Sequence, residues 1–422
     1  MIRCTAIFAF LAASNSWLLA ADWPSFRGPQ GNGYAEEKTL PLEWGKDKNI
    51  LWRVPLPRPG NSSPIVSNGC VFVTCAEDKD GLKRSLYCFD RRDGTQRWVR
   101  TVEYDKTEIT HGTNPYCGST PVADGKRVIA WHSSAGIYCY DFEGTQLWGR
   151  SLGEFEHIWG YGTSPIIYRD RVIMNCSPGK QVFMTALDLA TGETIWKTDE
   201  PIVGDGTYRE DKNWMGSWST PIIAHVDGSD QIICSLSTRV VSYDPANGKI
   251  LWFCEGISGR KGDLVYSSPV IAGDVCVCIG GFGGPGMAFR LGGMGNITES
   301  NRLWRTESNP QSIGSGVVIG GNFYRPNEAQ SAAIDCMEPK TGKILWRANT
   351  VEGKFWGSIV YAAGRCYVTN QDGVTIVFNP KPEAFDLLAK NDLGEVSNST
   401  PAVSDGQIFL RTHKALYCVA EK

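Results

Sequence analysis

Short apolar runs of about six residues, each broken by a turn rich in Gly, Asn, Asp or Ser, follow one another along nearly the whole chain. Residues 163–168, 172–176, 183–187 and 193–197 show the pattern in one unit. Each run predicts a strand. Four such strands with their turns need roughly 40–50 residues, the size of one propeller blade. A helical repeat of that period would need amphipathic runs of ten or more residues, and the sequence has none.

Two markers repeat with the strands. Trp52, Trp98, Trp148, Trp196, Trp252, Trp304 and Trp346 recur at spacings of 46, 50, 48, 56, 52 and 42 residues, and Leu388 takes the eighth place. A Gly turn precedes most of them, as in Asp93-Gly94-Thr95 and Thr191-Gly192-Glu193. The second marker opens a short apolar strand and reads Ser63-Pro64, Thr120-Pro121, Ser164-Pro165, Thr220-Pro221, Ser268-Pro269 and Thr400-Pro401. In the sixth and seventh units its place falls at Gly316-Val317 and Ile359-Val360. Proline is tolerated on a sheet edge, so this marker fits an innermost strand facing a channel. The last unit supplies only three strands, while residues 50–56 form a strand ahead of any complete unit. The expected fold is all-β, an eight-bladed propeller over 49–422, closed by the N-terminal strand entering the last blade. Residues 22–48 form an extension before it.

Composition narrows the partners. A net charge of −3 leaves no basic footprint for nucleic acid. The start reads as an export signal over 1–21: Arg3, an apolar run from Ala6, and small residues before Asp22. No stretch of 18 apolar residues suggests a transmembrane segment. The mature protein is expected in the periplasm or secreted, as a monomer. Fourteen cysteines less Cys4 leave thirteen, many at equivalent strand positions such as Cys88, Cys139 and Cys418, each after Tyr. That recurrence fits small buried hydrophobes better than a disulfide framework.

The stretch Ala186 to Trp196 reads A-x-D-x-x-T-G-x-x-x-W, and Asp90 to Trp98 and Asp244 to Trp252 match it from the Asp onward. Asp141 to Trp148 is one residue short, and the sixth unit carries extra residues after Asp335. This resembles the tryptophan-docking repeat of the pyrroloquinoline quinone (PQQ)-type propellers. The segment Trp23-Pro24-Ser25-Phe26-Arg27-Gly28-Pro29 resembles one that precedes such repeats in secreted bacterial proteins, those of planctomycetes especially. The resemblance implies that the seven Trp are structural, packed between blades. It also implies two kinds of relative, quinone-dependent dehydrogenases and the outer-membrane assembly lipoprotein. The enzymes hold PQQ against a Trp and, in many members, an adjacent-Cys disulfide, beside Ca2+. This chain has no adjacent Cys pair, no position that maps onto a metal-binding carboxylate set, and no lipid-bearing Cys after its apolar run.

Local motifs add little. Gly281 to Gly286 formally matches G-x-G-x-x-G, but a strand pattern follows where a dinucleotide site needs a helix, so it reads as a hairpin loop. Asp78 to Gly81 lacks the closing acid of a calcium loop. No His-rich metal motif is present. Loop length says more. The turns within strand pairs of one face are short, whereas those of the other face, 101–117, 151–162, 198–217, 254–266 and 280–285, are long. Binding usually resides on such loops. They carry His111, Asn114, Tyr116, Glu156, His157, Trp159, Tyr161, Arg209, Asp211, Trp214, Trp218, Lys261 and Asp263 as candidate ligand-binding residues. The sequence thus points to an exported binding or scaffold module, presenting this face to an envelope or secreted protein or to a small ligand. A PQQ-dependent dehydrogenase of alcohols or sugars, with PQQ and Ca2+ as cofactors, and a glycan- or polymer-recognition protein are the alternatives.

Overall fold

A computed structural model describes residues 22–201, 214–329, 331, 333–351 and 353–421. The signal-peptide reading over 1–21 lies outside the described residues. Eight antiparallel blades ring a central axis, each with four strands in meander order. The first runs Ile65–Ser67, Cys70–Ala76, Lys83–Asp90 and Gln96–Glu103. The eighth takes three strands, Ala402–Ser404, Gln407–Arg411 and Ala415–Val419, from the C-terminus, and Ile50–Pro55 pairs antiparallel with Ala415–Val419 as its outer strand. Adjacent blades bury their facing surfaces. One apolar cluster joins Trp131, Cys139 and Trp148 of the second blade to Val172, Met174 and Leu187 of the third.

A recurrent β-bulge sets each Trp. Opposite the indole stands a small residue: Cys88, Cys139, Ala186, Ser242, Ala288, Cys336 or Cys418. This is why cysteine recurs there. A bulkier partner would meet the indole across the strand pair. All thirteen described cysteines are buried and unbridged. Six indoles donate from Nε1 to a carbonyl in the next blade's outer turn, as Trp148 does to Leu189 at 3.1 Å and Trp196 to Pro245 at 3.0 Å. In five of the six the ring then lies over the turn glycine, and Trp346 meets a turn without one. A Cβ on Gly192 would sit 2.5 Å from the Trp148 ring, and φ there is +72°. Gly192→Ala should therefore cost about 2–4 kcal/mol, the left-handed penalty plus overpacking, read by chemical denaturation.

The structure corrects three expectations. In the seventh blade Ala389, not Leu388, faces Val377 in the Trp position, because Leu388 is the bulge residue itself. In the sixth, Cys336 opposes Trp346, so Glu338 holds the motif's acidic place and Asp335 lies within the blade. No extra residues are present there. Trp252 departs from the rule and donates to Gln231 Oε1 of its own blade at 2.9 Å. The fifth blade has replaced its Gly turn with an excursion, in which Gly295–Asn296 pairs with Trp252 and Phe253 and the short helix Thr298–Asn301 follows. The inner-strand marker is the third. Its invariant part is the hydroxyl, kept as Ser315 and Ser358 where Pro is lost.

Those hydroxyls join the blades around the axis. Ser63 N–H donates to Thr120 Oγ1 at 2.9 Å, Thr120 to Ser164 at 3.0 Å, and Ser164 to Thr220 at 3.1 Å. Beyond Ser268, bonds of 2.9–3.0 Å run to Ser315, Ser358, Thr400 and back to Ser63. Seven of the eight side chains thus each satisfy a buried backbone donor of the neighbouring blade.

The extension 22–48 crosses one end of the ring. Trp23 exchanges two backbone bonds of 2.9 Å with Val66, Pro24 accepts from Ala123, and buried Arg27 donates to the Gly316 carbonyl. Further on, Gly33 and Ala35 bond Tyr361, and Glu37 accepts the Asp405 and Gly406 N–H groups. Val66, Ala123 and Tyr361 lie on the first strands of their blades, Asp405 and Gly406 in the turn that follows one, and Gly316 just before one. The extension therefore lies across the short-loop end of the axial channel, with a second cavity of about 320 Å3 between it and the inner strands of the fourth to sixth blades.

Candidate functional site

The channel that remains is a one-ended cavity of about 310 Å3. Phe26 of the extension is at its floor, and its mouth lies among the long loops. The wall repeats eightfold. In extended chain alternate residues face the same way, so the position two before each hydroxyl also points to the axis. Read round the ring, these positions are Asn61, Gly118, Gly162, Trp218, Tyr266, Ile313, Trp356 and Asn398, and all eight line the cavity. Where the wall carries only glycine, neighbouring loops fold in. A Cβ on Gly118 would be 2.7 Å from the Tyr161 carbonyl, and His111, Thr113, Asn114 and Trp159 occupy the space instead.

The result is two-sided. One side is aromatic: Trp159, Trp218, Tyr266 and Phe282, with Trp159–Trp218 centroids 6.1 Å apart, Trp218–Tyr266 5.3 Å and Trp159–Phe282 5.9 Å. Trp356 continues the apolar arc. The other side is an amide arc of Asn398, Asn61 and Asn114. Asn398 Nδ2 donates to Asn61 Oδ1 at 3.2 Å, Asn61 Nδ2 to Asn114 Oδ1 at 3.1 Å, and Asn114 Nδ2 to the Trp159 carbonyl at 2.7 Å. His413 Nε2 lies 3.2 Å from Asn61 Oδ1, and burial with Arg411 nearby pushes its pKa down to about 4. That ring is neutral at pH 7. Glu328 stands behind the apolar arc and accepts from Gln311 Nε2 at 3.0 Å and from Trp356 Nε1. Burial raises its carboxyl above the ordinary range.

Phe282 is held at φ +55°, a region a bulky side chain enters only under strain of about 1–3 kcal/mol. The loop that holds it is the glycine-rich stretch 281–286. It turns through Gly284 N–H to the Gly281 carbonyl and returns as strand Gly286–Arg290, a hairpin and not a phosphate cradle.

Of the sequence candidates, His111, Asn114, Trp159 and Trp218 line the cavity. His157 and Trp214 support it from behind, His157 edge-on to Trp218 at 4.8 Å and Trp214 against Trp159 at 5.5 Å. Trp214–Ser217 pairs in parallel with Gly262–Val265, which carries Asp263 and sets Tyr266 at the wall. Lys261 reaches over Phe282 at 5.8 Å near the mouth. Three candidates lie elsewhere. Glu156 pairs with Lys180 at 3.1 Å on the surface. Tyr116 donates to the Glu108 carbonyl at 2.7 Å, and Tyr161 packs edge-on against Trp131 at 5.3 Å, both buried. Arg209 and Asp211 lie outside the described residues.

Behind the amide side, Arg84 pairs with Glu108 and donates to the His132 carbonyl at 2.6 Å. Burial, aided by Arg84, pushes His132 down to about 3. Its imidazole is neutral in the fold, so below pH 6.5 the unfolded chain binds a proton that the folded chain refuses. Between pH 6.5 and about 3, His132 should remove about 1.4 kcal/mol of stability per pH unit. His132→Phe should flatten that slope in denaturation at stepped pH, while stability above pH 7 changes little with pH.

PQQ brings carboxylates and, in the enzymes, Ca2+, so its site needs cations and carboxylate oxygens in the wall. Among the described residues lining the cavity there is no Lys, Arg, Asp or Glu. No group of three or more His, Cys, Asp or Glu among the described residues could hold a metal. These residues do not fit the quinone.

The PQQ-type family model described as outer membrane protein assembly factor BamB matches residues 42–116, 82–337 and 330–422. No curated protein sequence matches the chain. Among solved structures, BamB from Moraxella catarrhalis is 13% identical with a TM-score of 0.57, over 88% of this chain and 97% of that one. Quinohemoprotein alcohol dehydrogenase from Comamonas testosteroni is 12% identical with a TM-score of 0.66, over 95% of this chain and 81% of that one. At such identity both show the fold alone.

Proposed function

The chain belongs to the PQQ-type repeat family described as outer membrane protein assembly factor BamB, and on that premise we propose that it is an exported binding propeller whose ligand enters the axial cavity from the long-loop face. The observation that carries this reading is the cavity itself. It is closed at one end by Phe26, faced with aromatic rings on one side and amides on the other, and free of charged side chains among its described lining. A pocket of this kind selects an uncharged ligand, because burying an ionised group there would leave it without a counter-charge. Seven backbone-to-hydroxyl bonds between neighbouring blades hold the wall positions, so the site is preorganised and binding requires little reordering. Redox catalysis finds no support in the lining. Family membership and the apolar leader of the sequence support a place in the envelope or outside the cell.

The test is crystallographic soaking with a mixture of small uncharged ring compounds. Bound molecules should collect in the axial cavity against Trp159 and Trp218. Occupancy confined to other surfaces, with the axial cavity holding only water, would contradict the reading.

A further inference from the structure

Resting on the pocket reading above, we infer that the axial cavity is a subsite for the terminal ring of an uncharged saccharide chain. A pyranose has an apolar C–H face and a perimeter of hydroxyls, and the cavity presents the complement of both on opposite sides. Rings at Trp159, Trp218 and Tyr266 offer flat apolar area. Asn398, Asn61 and Asn114 are cross-bonded into one network, and Asn398 and Asn114 each keep a free lone pair on the carbonyl oxygen. A purely aromatic ligand would set carbon against the lone pairs left on Asn398 and Asn114 and gain nothing from them. An ionised ligand would find no counter-charge among the described lining. The volume of about 310 Å3 stands at the lower limit for small-molecule sites, room for one or two sugar rings. Phe26 stands in the cavity lining at the end away from the long loops, in the way of a threading polymer. The chain must enter end-on.

Phe282 ties this site to function. At φ +55° a glycine would relieve strain, yet Phe is there, with its ring against Trp159 at the mouth. Phe282→Gly should therefore weaken saccharide binding, while relief of the left-handed strain offsets part of the packing that is lost.

The experiment is calorimetric titration of the full chain with cellotriose, maltotriose, mannotriose and tri-N-acetylchitotriose. Trigalacturonate, β-cyclodextrin and benzyl alcohol are the comparison probes. At least one neutral trisaccharide should bind saturably, at least about tenfold more tightly than trigalacturonate and than the end-less cyclodextrin. Trp218→Ala and Phe282→Gly should each weaken it by about tenfold or more, with Glu156→Gln unchanged. Phe282 is exposed, so its variant remains informative if Trp218→Ala fails to fold. Binding of benzyl alcohol without any trisaccharide would overturn the saccharide inference and leave the pocket reading standing. Cyclodextrin binding equal to the linear sugars would overturn end-on entry. Silence from every probe would overturn both.

Discussion

Asp335→Ala should destabilise the protein by about 3–5 kcal/mol, the cost of leaving a buried guanidinium without its partner. Arg325 and Asp335 face each other across neighbouring strands of the sixth blade, both essentially inaccessible to water. Arg325 donates from Nε to Asp335 Oδ1 at 3.0 Å and from its second arm to Oδ2. A third bond, 3.3 Å to Asn309 Oδ1, reaches toward the loop that carries Phe282, because Asn309 N–H donates to the Gly284 carbonyl at 2.9 Å. The damage should therefore extend beyond the blade. Urea denaturation measures the first effect, and loss of Phe282 order in a crystal structure of the variant measures the second. The double variant Arg325→Met with Asp335→Leu should recover most of the lost stability, because an apolar pair of similar volume carries no desolvation penalty. A single variant within about 0.5 kcal/mol of the parent would contradict this account of the pair.

Trp52→Ala should cost a similar amount, about 3–5 kcal/mol, and should loosen the ring at one seam. Trp52 stands on Ile50–Pro55, the strand that completes the eighth blade. Its Nε1 donates to the Arg91 carbonyl of the first blade at 2.9 Å, and its ring covers Gly94. Arg91 returns the contact through Ser404 at 2.6 Å and Gln407 at 2.7 Å. Removing the indole weakens the closing strand and the joint between the chain's two ends at once. Hydrogen exchange should quicken in 50–55 and 415–419 well before it does in the third blade. Trp346 is only half-buried, so Trp346→Ala should cost less. The reverse order would mean that the seam between the termini is not where the ring is most dependent on its docking residue.

How much of this was legible in the sequence follows from the repeat. Strand length and turn residues are local properties, so four strands per unit and eight units could be read directly, and the closing strand followed from counting. Single positions slipped where a unit had drifted. Leu388 resembles the missing Trp in character, but the bulge that sets the register is invisible without the partner strand. Asp335 drew the motif toward itself because Glu338 fills the acidic place with a different side chain. The site was half visible. Long loops advertised His111, Asn114, Trp159 and Trp218. The rest of the wall, Asn61, Tyr266, Trp356 and Asn398, sits on short segments that attract no notice singly. Their signal was available: each lies two residues before an inner-strand hydroxyl, and alternation turns both toward the axis. Phe26 could not be found that way, since only the tertiary path of the extension brings it to the axis. Tyr116 and Tyr161 mark the opposite failure, where an aromatic on a long loop is core.

On the proposed reading the axial cavity is an uncharged binding site, not a quinone site. This is tested by titrating the purified full chain with PQQ in the presence of Ca2+ and following the quinone absorbance. No saturable spectral change is expected, and no quenching of tryptophan emission beyond that due to absorption by the free quinone. A saturable change reaching one equivalent, abolished by Trp218→Ala, would contradict it.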